Sequence, residues 1–355
     1  MKKLIFFILL FCIGIGYWYV HSEIYSAVSQ ERDKITFEVK QGETVAILAN
    51  RLDEEQVIRN PWLFRKYIQW KGVDKDIRFG VFEVTKPITL ARVVESLSKP
   101  GVTERTITII PGWDLRDIAE YMEKEGIGTK DEVYTLLGQP AKQGTSPKVS
   151  LDAPLKVVAN KPADISFEGY IRPDTFRVYK DASLNDVLVR LIKERDKEFT
   201  PELYQDIENF FDRVYPDIAK GKYSLSVHEL LTMASILERE VRSPKDKAMV
   251  ADLFWRRYMA WIGFNADSTV HYIFGSPTSV FTTNEERAST NPWNTYKYWG
   301  LPPGPIATPS MASIKAALYP EKNEYYYFLT TLDTGEVKYA KTLEEHNQNV
   351  QKYLR

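Results

Sequence analysis

The chain has 355 residues, enough for two or three domains around a substantial buried core. Its 47 basic and 48 acidic residues balance, which argues against nucleic acid or any strongly polyanionic partner. A single cysteine, Cys12, leaves no disulfide within the chain, and the four scattered histidines (His21, His228, His271, His346) lack metal-ligand spacing, so no metal or cofactor is expected.

Residues 1–3, with Lys2 and Lys3, precede an uncharged apolar run over 4–20. That length matches the lower end of a membrane-spanning helix, roughly 17–25 residues. The run ends Gly16-Tyr-Trp-Tyr-Val20, with no small-residue cleavage site and with aromatics suited to an interfacial belt. Phe11 before Cys12 fits poorly with lipoprotein processing. The expectation is an uncleaved single-pass anchor in the cytoplasmic membrane, with residues 1–3 inside and 21–355 outside. Residues 21–34 read as a polar stalk.

A weak internal repeat follows at a spacing of seventy residues, Thr36–Leu52 against Thr106–Met122. Each copy shows an alternating strand, a glycine turn (Gly42 or Gly112) and a helix carrying Leu48/Ile118, Ala49/Ala119 and Leu52/Met122. Val57 and Ile127 follow at matching places. Such a strand–turn–helix unit is too small to bury its own face alone. Phe79–Val84 reads as a strand and Thr89–Leu97 as a helix. Residues 139–165, rich in Pro, Lys and small polar residues, read as a linker or surface insertion.

Beyond residue 166 the pattern is organised around His228–Val241. Leu230, Met233, Ala234, Leu237 and Val241 share one face at helical period, and Ser226 with Glu229 has capping-box spacing. Ser235 and Arg239 lie off that face. Glu238 and Glu240 stand at the C-terminal end, where the helix dipole disfavours negative charge. A carboxyl held there against apolar neighbours would titrate high, as a general acid requires; the plainer reading is a solvated Glu-Arg-Glu rim. Three further motifs surround this helix: Phe167–Tyr179, Phe264–Tyr272 after a helix over 247–261, and Asn294–Pro309 with its rigid Pro-Pro-Gly-Pro run. A helix over 311–318, a hairpin of 325–330 and 337–340 about Asp333-Thr-Gly335, and a helix over 343–354 complete the chain.

The ordered set Glu168-Gly169, Pro173-Asp174-Thr175, Ala234–Glu240, Asp267 with Thr269, Val270 and Tyr272, Asn294-Thr295-Tyr296 and Gly300–Ile306 resembles the YceG-like family over nearly the whole chain. Its members are membrane-anchored endolytic murein transglycosylases. The first repeat copy resembles a LysM-like unit, in which a small βα element grips amino sugars. Ser268 departs from the family's usual Pro, Phe264-Asn265 from Leu-Gln, Arg172 from an aromatic and Ser310 from Gly.

The resemblance implies an α+β protein with an N-terminal transmembrane helix (4–20), a small LysM-like βα region (35–102), a second repeat (103–138), the linker (139–165) and a mixed α/β catalytic domain (166–355). It implies cleavage of the MurNAc–GlcNAc β-1,4 bond of nascent glycan strands to leave 1,6-anhydromuramyl ends. One carboxyl can serve as both acid and base in that reaction, whereas hydrolysis ordinarily requires two. The family's Glu-x-Glu pattern assigns that carboxyl to Glu240; helical angle alone does not choose between it and Glu238. Substrate contacts would fall to Glu168, Asp174, Thr175, Asp267, Thr269, Tyr272, Asn294, Thr295 and Tyr296, each of which could equally close a turn or pack a core. Peptidoglycan strands, the cytoplasmic membrane and cell-wall synthases are the implied partners. A muramidase using Asp174 or Asp267 as second carboxylate, or a non-catalytic binding scaffold, are the competing expectations.

Overall fold

The computed structural model describes residues 2–28, 33–40, 42–75, 77, 79–98, 104–180, 182–275 and 282–354. The chain divides into two compact units, residues 1–107 with 177–181, and residues 108–176 with 182–355. Both mix helices with two-stranded sheets.

In the first unit, helix α1 (Lys2–Tyr25) covers the whole apolar run. Phe11, Ile13, Ile15, Tyr17, Trp18 and Tyr19 are all exposed, while Ile24 is buried in the unit's core. Among the described residues no helix is long and apolar enough to cross a membrane, so the structure supplies a helix over the expected anchor and no more. Strand β1 (Lys34–Val39) buries Ile35, Phe37 and Val39 in strict alternation. After α2 (Val45–Glu54) and α3 (Pro61–Trp70), it pairs antiparallel with β2 (Gly80–Thr85), setting Phe37 opposite Phe82 with ring centroids 5.7 Å apart. Thr44 caps α2 and Asn60 caps α3, with Pro61 at the first helical position. Both helices bury one stripe, and α4 (Leu90–Ser98) adds Val93, Val94 and Leu97 to the same core.

Strand β3 (Glu104–Thr108) and α5 (Leu115–Lys124) repeat the β1–α2 plan. Gly42 and Gly112 both take positive φ (78° and 87°), and Thr44 and Asp114 occupy matching N-caps. The correspondence extends past the helices. Gln56 (φ 57°) and Gly126 (φ 66°) reverse the chain, and Val57 and Ile127 then donate to the carbonyls of Leu52 and Met122 at 2.8 and 2.9 Å. Gln56 accepts a left-handed conformation that costs a non-glycine residue about 1–2 kcal/mol.

The second unit continues with α6 (Lys130–Leu137), which packs on α5. Residues 139–165 are mostly irregular yet well anchored: Thr145, Val157 and Ile165 are buried, and the Val157 amide donates to Asp196 Oδ1 at 2.7 Å. Strand β4 (Thr175–Tyr179) pairs with β3, and the division between the units falls inside both strands. Helices α7 (Leu184–Lys197), α8 (Pro201–Glu208), α9 (Phe210–Val214) and α10 (Pro216–Ala219) lead to α11 (Val227–Glu240). Next come α12 (Pro244–Met259), α13 (Asp267–Phe274), α14 (Asn284–Arg287) and α15 (Met311–Leu318). The hairpin β5 (Tyr327–Thr330)–β6 (Val337–Ala340) and α16 (Leu343–Tyr353) close the chain.

Helix α11 is the unit's centre, capped by the reciprocal Ser226–Glu229 bonds that its spacing predicts. It packs against α12, α13 and α15. The single-faced expectation needs correction. Every side chain from Val227 to Leu237 except Glu229 is buried, including Ser235. Ser235 Oγ accepts the Ile306 amide at 2.9 Å, so the face opposite the apolar stripe receives the Pro-rich loop.

Candidate active site

The last turn of α11 sends three charged side chains into three environments. Glu238 receives Lys247 Nζ at 2.9 Å, the Ser310 amide at 2.8 Å, Ser310 Oγ at 2.5 Å and Ser313 Oγ at 2.6 Å. Burial works to raise its carboxyl, but hydrogen bonds from Ser310, Ser313 and Lys247 outweigh burial and hold it below the usual range. Glu238 is thus a fixed carboxylate joining α11, α12 and the N-terminus of α15. Ser310 supplies two of its donors. Arg239 donates to the Ile306 carbonyl at 3.3 Å and stands 3.8 Å from Asp114.

Glu240 instead lines a cavity of about 960 Å³. The end of α11, Phe254 and Arg257 of α12, the loop 264–266, α13, the β5–β6 hairpin and α16 enclose it. Burial raises the Glu240 carboxyl above the usual range, and the negative charge of Asp267 adds to that; Ser268 and Arg239 act in the opposite sense. The Ser268 amide lies 3.4 Å from Glu240 Oε1. A proline at this position would have no N–H to offer, whereas Ser268 gives the carboxylate a donor. Glu240 therefore carries what a general acid requires: access to a cavity and a proton retained above the ordinary carboxylate range.

Asp267, the first residue of α13, also faces the cavity. It accepts from Tyr296 Oη at 2.8 Å, Thr282 Oγ1 at 2.5 Å and Arg287 at 3.2 Å. Tyr296 lines the cavity beside it, and burial followed by the Asp267 charge holds the phenol protonated.

The remaining sequence candidates sit elsewhere. Tyr272 is fully buried; its hydroxyl donates to Glu168 Oε2 at 3.1 Å and accepts the Ala141 amide at 3.0 Å. Glu168 is buried behind it, its Oε2 also taking the Leu115 amide at 3.0 Å while Oε1 has no partner. Burial, with the Asp114 charge beside it, pushes Glu168 up to about 8. Thr269 and Thr295 are buried and share a hydroxyl bond of 2.9 Å, and Thr295 also accepts the Ala266 amide. Asn294 is buried, its amide donating to the carbonyls of Arg287 and Ser289. These five residues hold α13 and the 287–296 loop in place. Asp174 and Thr175 are exposed: Asp174 pairs with Arg172 at 2.8 Å, and Thr175 Oγ1 meets Thr108 Oγ1 at 3.1 Å. Neither lines the cavity.

Sequence reasoning missed His271 and Arg257 among the lining residues. His271 lies four residues after Asp267 on the same helix face, a signal that the spacing carried. Its buried Nε2 lacks a partner, as does Nδ1 of His346, whose ring stacks on Tyr327 with centroids 5.5 Å apart. Burial lowers both imidazoles, so both are held neutral. Arg257 donates to the carbonyls of Phe264 and Tyr326, linking α12 to the loop and hairpin; no local pattern announced it. Among the described residues no group of three or more His, Cys, Asp or Glu could hold a metal ion.

The chain is similar to a Bacillus subtilis (strain 168) protein named endolytic murein transglycosylase, 30% identical over 345 residues, covering 96% of this chain and 91% of the relative. A Streptococcus pneumoniae (D39) protein of the same name is 25% identical over 360 residues, covering 96% of this chain, which spans 62% of that relative's length. Among solved structures, a YceG-like protein of Listeria monocytogenes superposes with a TM-score of 0.54 at 28% identity, covering 89% of this chain and 99% of that one. The YceG-like family model matches residues 37–352. With that match running almost end to end, the chain belongs to the YceG-like family.

Proposed function

We propose that the chain is an endolytic murein transglycosylase that cuts the MurNAc–GlcNAc β-1,4 bond of peptidoglycan strands with Glu240 as its acid and base. The observation that carries this reading is the contrast between the two carboxyls of α11. Glu238 is tied into four hydrogen bonds and ionised, whereas Glu240 opens on the cavity with its titration raised. Protonated Glu240 donates to the departing O4 of the GlcNAc as the C1–O bond breaks. The resulting carboxylate takes the proton from the muramyl C6 hydroxyl as O6 closes on C1, leaving a 1,6-anhydromuramyl end and restoring the acid. Asp267 and Tyr296 face the sugar from α13 and the 294–296 loop. Glu168, Thr269, Tyr272, Asn294 and Thr295 act through the elements they position. Asp174 and Thr175 would contact only a strand that extends beyond the cavity.

Membrane anchorage is part of the same reading. Helix α1 leaves apolar side chains exposed along its described turns from Phe11 to Val20, a surface that lipid would cover. Residues 35–102, in which strands Lys34–Val39 and Gly80–Thr85 flank two helices, serve in this proposal as the LysM-like grip on amino sugars. An anchored enzyme works close to newly made lipid-linked glycan, where it would end strands beside the synthases that make them.

One observation favours hydrolysis as a second reading: Asp267 shares the cavity with Glu240 and could activate water. Mass spectrometry of products from uncrosslinked glycan strands separates the two. Anhydromuramyl ends from the parent chain, absent with Glu240→Gln, support the transglycosylase. Reducing muramic ends would transfer the assignment to the hydrolase. Equal activity of parent and variant would remove Glu240 from the chemistry. Removal of a general acid typically costs about 10²–10⁴-fold in rate.

A further inference from the structure

Helix α3 carries an outer face that solvent does not explain. Leu63, Phe64, Tyr67 and Ile68 fill the core, as an amphipathic helix should. The opposite stripe, at i, i+4, i+7 and i+8, is Trp62, Lys66, Gln69 and Trp70, with Trp62 and Trp70 exposed at 59% and 74%. An outer helix face ordinarily carries charged and polar residues, not a pair of tryptophans.

This stripe connects to the end of α1 through unbroken contacts. Tyr17 meets His21 with ring centroids 5.9 Å apart, and His21 meets Tyr25 at 4.8 Å. Tyr25 is hydrogen-bonded to Tyr67 of α3, Tyr67 meets Trp70 at 5.7 Å, and Lys71 Nζ lies 4.9 Å from the Trp70 ring. At the other end of α3, Arg59 donates to the carbonyls of Ala27 and Val28, clamping the chain where it leaves α1.

The vertical distance is set by helix geometry. From Val20, where the apolar run ends, to Tyr25 is five residues, or about 7.5 Å of helix rise. The polar headgroup layer on each side of a bilayer's hydrocarbon core is roughly 5–8 Å thick. A chain anchored by α1 thus holds Tyr67 and Trp70 at headgroup level. Aromatic rings with lysines beside them are the side chains that settle in this layer, the rings at the interface and the ammonium groups on anionic lipid.

We propose that α3 is a second membrane contact: Trp62 and Trp70 seat in the headgroup layer of an anionic bilayer, with Lys66 and Lys71 on lipid phosphates. This rests on the reading of α1 as the anchor. The contact fixes how the first unit stands on the membrane, where α1 alone would leave it free to swivel. It would also occupy the aromatic stripe with lipid and leave it closed to glycan.

The test uses the full chain in vesicles of phosphatidylcholine and phosphatidylglycerol, with and without brominated acyl chains. The emission of Trp62 and Trp70 is taken as the difference between the parent and a Trp62→Phe/Trp70→Phe variant, and that of Trp18 as the difference from Trp18→Phe. Both positions are exposed, so the double variant keeps its fold. The expected result is a Trp62/Trp70 component that shifts to the blue, is quenched by bromolipid and is shielded from iodide. A red, iodide-quenched component beside a bromolipid-quenched Trp18 would overturn the α3 contact while leaving the anchor in place. An unquenched Trp18 would overturn the anchor and the contact with it. If the Trp62/Trp70 component ignored lipid but shifted when soluble glycan strands were added, the stripe would be a sugar platform and the proposal would fall.

Discussion

Glu168 allows a quantitative test of the packing around α13. Its carboxyl is 1% exposed and pushed up to about 8 from an ordinary 4.5. Relative to a solvated carboxyl, the fold thereby disfavours the ionised form by about 5 kcal/mol. The unfolded chain releases this proton above pH 4.5, whereas the folded chain keeps it until about 8. Stability from this group is therefore complete below the unfolded value and is lost as pH rises through the folded one, with about 2 kcal/mol disappearing between pH 6 and 8. Glu168→Gln removes the ionisation. Its carbonyl oxygen can still accept from the Leu115 amide and the Tyr272 hydroxyl, and its NH₂ takes the place of the partnerless Oε1. The variant should be about 1–2 kcal/mol less stable than the parent near pH 5, owing to that unsatisfied amide. It should then lose less with pH, so that the two curves cross below pH 8. Denaturant unfolding of the full chain in mild detergent, read through the near-ultraviolet signal of buried Trp255 and Trp293, measures this. Histidines titrate in both chains and cancel in the difference. Parallel curves from pH 5 to 8.5 would show that Glu168 ionises freely and would refute the reasoning.

Other outcomes follow from the same contacts. Glu238→Gln should cost about 2–3 kcal/mol of unfolding free energy, because it leaves Lys247 buried without its carboxylate; a variant as stable as the parent but inactive would move the chemistry to Glu238. Ser268→Pro removes an N–H that favours ionised Glu240, so the alkaline limb of the pH–activity profile should move upward; a downward shift would mean that another group sets that limb. Gly169→Ala should destabilise the chain by about 2 kcal/mol or more, since φ is +79° and a Cβ there would lie 2.6 Å from Pro305 Cβ; an unchanged melting temperature would contradict this packing.

Local signals fixed much of the secondary structure in advance. The Ser226–Glu229 capping box starts α11 where the spacing places it, and the Thr36 and Thr106 repeats fold as matching strand–turn–helix units down to the reversal after each helix. These features depend on residues within one or two turns of each other, so the sequence displays them directly. The contrast between the two carboxyls of α11 was not of that kind. Glu238 and Glu240 stand two residues apart and point in directions roughly 200° apart on the helix, and nothing local ranks them. Their environments come from distant parts of the chain: Lys247, Ser310 and Ser313 for Glu238, Asp267 and Ser268 for Glu240. The roles of Tyr272, Thr269 and Asn294 likewise depended on which faces α13 and its neighbouring loop turn inward. Burial and charge at a carboxyl are sums over everything packed around it, and only the tertiary structure assembles that sum.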